Sequence, residues 1–201
     1  MQLYFSPASP FVRKVRVCLI ESGLGARTEL VAVSGNAVDP GTMPVDLNPL
    51  GKIPALALGD GRVLYDSRVI CRYLDQRAGG LFYPADARLW DALVVEALAD
   101  GIMDAGVLIT YESRVRPEEM RFAPWVDGQW AKIARALDEL ERRWLPLLQG
   151  PFGMAQIAAA CALAYLDLRH DARQWRKGHA ALAAWEAALR ERPSLVATRP
   201  A

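Results

Sequence analysis

The spacing of apolar residues changes character once along the chain. From Met1 to about Arg77 it moves between alternation and helical periodicity. QLYF reads as a strand, Pro10 to Gly23 as a helix, and TELVAVS as a second strand with β-branched alternation. A proline-rich connection leads to IPALAL and RVLY, separated by Gly59-Asp60-Gly61, which reads as a hairpin turn. Ser67 then stands as the cap of a helix carrying Ile70, Tyr73 and Leu74 on one face. The predicted order is β-α-β followed by β-β-α.

From about Leu89 the strand signals stop. DALVVEALADGIMDAGVLITYESR, WVDGQWAKIARALDELERRWLPLL and MAQIAAACALAYLDLRHDA all show helical spacing. AGGLFYPAD, with two glycines and a proline, interrupts both patterns and reads as a linker. The expected organisation is an α/β domain over residues 1–78, a linker over 79–87 and an all-α domain over 88–201.

Composition narrows the function classes. Of 201 residues 52% are hydrophobic, and 24 Lys and Arg face 23 acidic residues for a net charge of +1. That balance points to a globular protein and to neither nucleic acid nor a membrane surface as partner. With no basic n-region and apolar h-region before the first strand, a cytoplasmic location is expected. Cys18, Cys71 and Cys161 sit inside helical apolar patterns and are expected to be buried thiols, with no disulfide and no metal site. His170 and His179 are expected to be solvated or capping residues, and Arg13, Lys14 and Arg16 a solvated helical face.

The candidate chemistry begins at SPASPFVRK. Ser9 before Pro10 is a strong helix start, because the hydroxyl accepts from free backbone N–H groups and proline at the first helical position has no N–H to leave unpaired. The same hydroxyl can serve chemistry as well as capping. Asp66-Ser67 offers a carboxylate for an ammonium and a helix N-terminus for an anion, with capping alone as the alternative.

SPASPFVRK, NPLGKIPAL and YDSRVICRYL, in this order of elements, resemble the cytosolic glutathione transferase superfamily over the whole chain, and bacterial members with an SPFVRK motif above all. The resemblance implies a thioredoxin-like N-terminal domain followed by an all-helical C-terminal domain. It also implies a homodimer and glutathione as co-substrate, held mainly by the first domain. It places a cis bond between Ile53 and Pro54, leaving the backbone of Ile53 to pair with the cysteinyl unit of glutathione, with Lys52 alongside. Asp66 and Ser67 would then hold the γ-glutamyl end. Ser9 occupies the position where Theta-, Zeta- and Omega-like members face the glutathione sulfur, with Ser6 as the second candidate. The chain has SPF where Omega-like proteins have CPF, and a hydroxyl cannot form a mixed disulfide.

In the helical half, Asp100 and Asp104 share a face with Gly101 between them. The pattern resembles one in Alpha- and Pi-like members, by which Asp104 would reach the γ-glutamyl amine in the neighbouring subunit. Gly101 in such a face fits close helix packing or a ligand, with a solvated acidic face as the default. A pocket for an electrophile would draw on Phe11, Met103, Val107, Tyr111 and Trp125. Gly153 stands where the family uses Ser or Thr in a capping box, and Gln156 can still bond back from the third helical position. The activity implied is transfer of glutathione to a small hydrophobic electrophile, or its use to reduce a peroxide. The alternative is a non-catalytic binding or regulatory protein of stringent starvation type.

Overall fold

The computed structural model describes residues 1–200. Its strands are β1 (Gln2–Phe5), β2 (Glu29–Ala32), β3 (Ala55–Ala57) and β4 (Val63–Leu64), with α1 (Pro10–Glu21) between the first two and α2 (Ser67–Arg77) after the last. They form one mixed sheet in the order β2-β1-β3-β4. β1 runs parallel to β2 across the α1 crossover and antiparallel to β3, and β3 pairs antiparallel with β4. This is the expected β-α-β, β-β-α order. The hairpin turn closes because the Asp60 carboxylate accepts from the Arg62 backbone and guanidinium, while Gly61 takes the positive φ of 88°.

Leu3 and Leu56 face each other across the β1–β3 ladder, and both are fully buried. Against them pack the apolar faces of α1 and α2, including Val12, Val15, Cys18, Ile70, Cys71 and Leu74. Cys18 and Cys71 are free thiols with their sulfurs 3.8 Å apart, and Cys161 is likewise free and buried.

The face of α1 expected to be solvated is not. Arg13 and Lys14 are 6% and 0% exposed. Arg13 donates to the Leu195 carbonyl at 3.1 Å and to Thr198 Oγ1 at 3.4 Å, and Ser194 donates to the Glu21 carboxylate. These bonds tie α1 to a short helix, α8 (Pro193–Ala197), some 180 residues away. A guanidinium suits the unpaired carbonyls at a helix C-terminus.

Contacts accordingly group Pro193 onward with Met1–Tyr83, and Pro84–Arg192 as a second unit. This differs from the expected division at both ends. Part of the expected linker folds back on α2, where the buried Asp75 carboxylate accepts from the N–H groups of Phe82 and Tyr83, and the Arg72 guanidinium lies over the Tyr83 ring.

The second unit is helical throughout: α3 (Arg88–Arg114), α4 (Ala123–Glu139), a π-helical turn over Leu140–Trp144, α5 (Leu145–Leu148), α6 (Met154–His170) and α7 (Ala180–Leu189). The π turn precedes Pro146, whose missing N–H removes one regular helical bond. α6 is buried on every side from Met154 to Leu163, as its nearly continuous run of alanine and other apolar residues predicts. Its first turn is closed as expected, with Gly153 N–H donating to Gln156 Oε1 at 3.0 Å. His170 and His179 are buried rather than solvated, and both are hydrogen-bonded: His170 Nε2 to the Gly106 carbonyl, His179 Nδ1 to the Trp175 carbonyl.

The close approach of α3 to α6 occurs at Gly106, where an added Cβ would lie 3.2 Å from the Tyr165 ring. At Gly101 an added Cβ would meet no atom within 4 Å. Gly101→Ala is therefore expected to raise the thermal midpoint, because alanine favours a helix interior over glycine by up to about 1 kcal/mol. Gly106→Ala should lower it, since overpacking costs about 1–3 kcal/mol. Differential scanning calorimetry of both variants checks this, and a lower midpoint for Gly101→Ala would mean that something outside the chain covers Gly101.

Candidate functional site

The sheet register brings one set of residues together. Tyr4, next to the last residue of β1, pairs with Ala55, the first residue of β3. Leu64, the last residue of β4, pairs with Leu56. The exit of β1, the start of β3 and the exit of β4 therefore share one end of the sheet. Both α1 and α2 begin there, directly after β1 and β4. Ser9, Ile53, Pro54, Asp66 and Ser67, predicted from separate stretches of sequence, all fall at that end.

Ser9 is the N-cap of α1 in an extended conformation, and its Oγ accepts from Val12 N–H at 3.3 Å. A hydroxyl that accepts keeps its own proton to donate. Pro10 brings no N–H, Val12 bonds Oγ and Arg13 bonds the Ser9 carbonyl, so Phe11 N–H is left unpaired among the described residues. The start of α1 thus offers two donors, the Ser9 hydroxyl and Phe11 N–H, beside a positive helix end. Ser6 is half-buried, and its carbonyl accepts from Ser9 N–H at 3.1 Å.

The Ile53–Pro54 peptide bond is cis, as expected. Neither Ile53 N–H nor its carbonyl has a partner among the described residues, so a short stretch of extended backbone stands open just before β3. Asn48, only 2% exposed, positions this stretch. Its Nδ2 donates to the Lys52 carbonyl at 2.8 Å and its Oδ1 accepts from Leu50 N–H at 3.2 Å, while Gly51 takes a φ of 59°. Lys52 itself is exposed. The Asn-Pro-Leu-Gly turn signature marks Asn48 in the sequence, although its buried positioning role depends on the fold.

At α2 the cap falls one residue earlier than expected. Asp66 is the N-cap, its Oδ1 accepting from Arg68 N–H at 3.0 Å, and Ser67 is the first helical residue. Asp66 is extended, with φ −85° and ψ −161°, the conformation of a residue that caps the second N–H of a helix. Its carboxylate stays largely exposed, with Arg68 Nε at 3.8 Å. Ser67 is 2% exposed, and neither its N–H nor its hydroxyl has a partner among the described residues. Donors suited to an anion at Ser67 and a carboxylate suited to a cation at Asp66 thus adjoin, although the cap is Asp66 and not Ser67.

The other predicted residues are distributed differently. Phe11, the second residue of α1, is half-buried. In the helical unit Asp104 is exposed, Val107, Tyr111 and Trp125 are half-buried, and Met103 is 0% exposed, so it belongs to the core and presents no surface to a ligand.

Three comparisons bear on this arrangement. Family models described as the N-terminal and C-terminal domains of glutathione S-transferase match residues 8–77 and 123–188. The uncharacterized GST-like protein YibF of Escherichia coli is 35% identical over 181 residues, covering 87% of this chain and 86% of its own. A glutathione transferase family member from Pseudomonas fluorescens Pf-5, crystallised with bound glutathione, is 48% identical with a TM-score of 0.97, covering 100% of this chain and 98% of its own. A glutathione S-transferase from Methylobacillus flagellatus, also with glutathione bound, is 38% identical with a TM-score of 0.86, covering 100% and 99%. With both halves matched by the family's domains and near full-length relatives at these identities, the chain belongs to the glutathione S-transferase family.

Proposed function

We propose that this protein binds glutathione at the shared end of its sheet and stabilises the thiolate for transfer to a small hydrophobic electrophile, or for reduction of a peroxide. The observation that carries the reading is the convergence there of the Ser9 hydroxyl, the unpaired Ile53 backbone and the open start of α2 at Ser67. The bound glutathione in the Pseudomonas and Methylobacillus relatives supports it.

In this reading the cysteinyl backbone of the tripeptide pairs with Ile53 as an added strand. The γ-glutamyl carboxylate takes Ser67 N–H and Oγ, its ammonium takes Asp66, and Lys52 supplies a cation for the glycyl carboxylate. Ser9 and Phe11 N–H then donate to the sulfur. Depressing a thiol pKa by about two units needs about 2.7 kcal/mol. A charge-assisted hydrogen bond contributes roughly 1.5–3 kcal/mol and a helix N-terminus roughly 0.3–2 kcal/mol, so the two suffice without a general base. The thiol proton leaves to solvent, and the thiolate attacks the electrophile.

The same reading makes the protein a cytoplasmic, bacterial detoxification enzyme that works as a homodimer, with Asp104 reaching the partner's γ-glutamyl amine. Trp90 and Val94, four residues apart on α3 and 69% and 51% exposed, supply an apolar face for a second copy.

Three measurements test the proposal. Ser9→Ala should raise the pKa of bound glutathione, moving the rise of kcat/KM with pH to higher values, while affinity for the tripeptide changes little. Loss of the cap will also lower stability by about 0.5–2 kcal/mol. Ultraviolet titration of the bound thiolate separates the effects: an unchanged pKa in a folded variant would remove Ser9 from the chemistry and promote Ser6. Asp66→Ala combined with Ser67→Ala should weaken glutathione at least about tenfold, the effect of losing one charge-assisted hydrogen bond. Calorimetric affinity equal to that of the unaltered protein would mean that the γ-glutamyl end lies elsewhere. Light scattering should give the mass of two chains, and Trp90→Lys should shift it towards one.

A further inference from the structure

Cys18 belongs to α1 and Cys71 to α2, 53 residues apart in sequence, yet their sulfurs lie 3.8 Å from each other with the Cys18 thiol directed at the Cys71 sulfur. Both residues are 0% exposed. The chemistry proposed at the end of the sheet uses neither. A side chain that only fills the space between two helices can turn its tip wherever packing allows, and here the two reactive atoms meet.

The surroundings hold the pair in register. Val15 and Leu19 on α1 and Ile70 and Leu74 on α2, each within one turn of a cysteine, are 3% exposed or less. Cys18 is fixed from behind, because Ser22 donates to its carbonyl through N–H at 3.0 Å and through Oγ at 2.7 Å. Cys71 stands one turn beyond Ser67 in a helix whose start is capped by Asp66. A disulfide needs sulfurs at about 2.05 Å, an approach that turning the two side chains about their Cα–Cβ bonds would supply. Cys161 makes the contrast. It is equally buried, but it is the one cysteine of the helical unit, so no second thiol of that unit can join it.

We propose that Cys18 and Cys71 are a redox-active pair, which a hydroperoxide converts to an intramolecular disulfide stapling α1 to α2 and a dithiol reductant reopens. In the first step one sulfur attacks the terminal oxygen of the hydroperoxide. An S–O bond forms, the O–O bond breaks, and the other oxygen leaves as water or an alcohol with the thiol proton, so that a sulfenic acid remains. The second sulfur then attacks the sulfenic sulfur. The S–S bond forms, the S–O bond breaks, and water departs with the second thiol proton. Two thiols have lost two electrons and the hydroperoxide has gained them. The dithiol reductant returns them through a mixed disulfide and ends as a disulfide itself.

Burial shapes how this happens. With no sulfur at the surface, the oxidant enters when the helix contact opens locally, which a small neutral hydroperoxide can follow and a charged disulfide the size of two tripeptides cannot. Closing returns the second thiol to the sulfenic acid ahead of another oxidant molecule. The product is therefore the disulfide and not a sulfinic acid.

The pair does not depend on the glutathione reading. It is tested on the full chain with hydrogen peroxide in the absence of reductant. Thiols titrated in denaturant should fall from three to one, the intact mass should drop by two hydrogens, and a peptide map should show Cys18 linked to Cys71. Dithiothreitol should restore all three thiols. Cys161→Ala should form the same link. Cys71→Ala should form none, and its Cys18 sulfenic acid should be labelled by dimedone at least about tenfold more than in the unaltered chain, where the second thiol captures it. Three thiols surviving the peroxide, sulfinic acid at Cys18 or Cys71 in place of the link, equal dimedone labelling, or a link that includes Cys161 would each overturn the proposal. Should Cys71→Ala not fold, the peptide maps of the unaltered chain and of Cys161→Ala decide, with the same expected link and the same overturning results.

Discussion

The antiparallel pairing of β1 with β3 governs what the first unit can do. Leu3 and Leu56 face each other across that ladder without exposed surface, and a slip of one residue would turn one of them outward. Their burial therefore fixes the register, and the register fixes which chain ends meet. Because Tyr4 pairs with Ala55 and Leu56 with Leu64, the segments that carry Ser9, Ile53 and Asp66 emerge side by side. A hydrophobic constraint at the middle of a small sheet thus positions polar groups at its edge.

Those polar groups share a second property, which is that folding leaves each of them incompletely used. Ser9 accepts a capping bond and keeps a proton to give. Asp66 caps α2 through one oxygen while its carboxylate remains exposed. Ser67 enters the helix with no partner for N–H or hydroxyl, and Ile53 has backbone groups that no strand takes up. Helix starts and strand edges are where a backbone has donors and acceptors to spare. In the function proposed above, a peptide carrying both charges and an extended backbone meets a complementary need at each.

The helical unit follows the opposite pattern around Tyr165. There Thr110, Tyr165, His170 and the Gly106 carbonyl satisfy one another. Gly106 suits this arrangement, since an added Cβ would lie 3.2 Å from the Tyr165 ring.

Much of this was legible in local sequence, because capping, turn chemistry and hydrophobic period act within a dozen residues. Ser9-Pro10 announced α1, Gln156 announced the closed first turn of α6, and the alternating and helical patterns announced the four strands and α1, α2, α3, α4 and α6, while α7 and α8 were not read from the pattern. The cis bond at Ile53–Pro54 was reached through likeness to a family and not through local pattern. What only the tertiary structure decided concerns residues whose partners are remote. Arg13 reads as a solvated basic position until α8 returns to bury it, and His170 reads as solvated or capping until Gly106 brings α3 against it. Met103 joins the core, and Asp75 draws the expected linker onto α2. Periodicity tells which face of an element is apolar, but the burial of a charge depends on which distant segment arrives to satisfy it, and that is set by the whole fold.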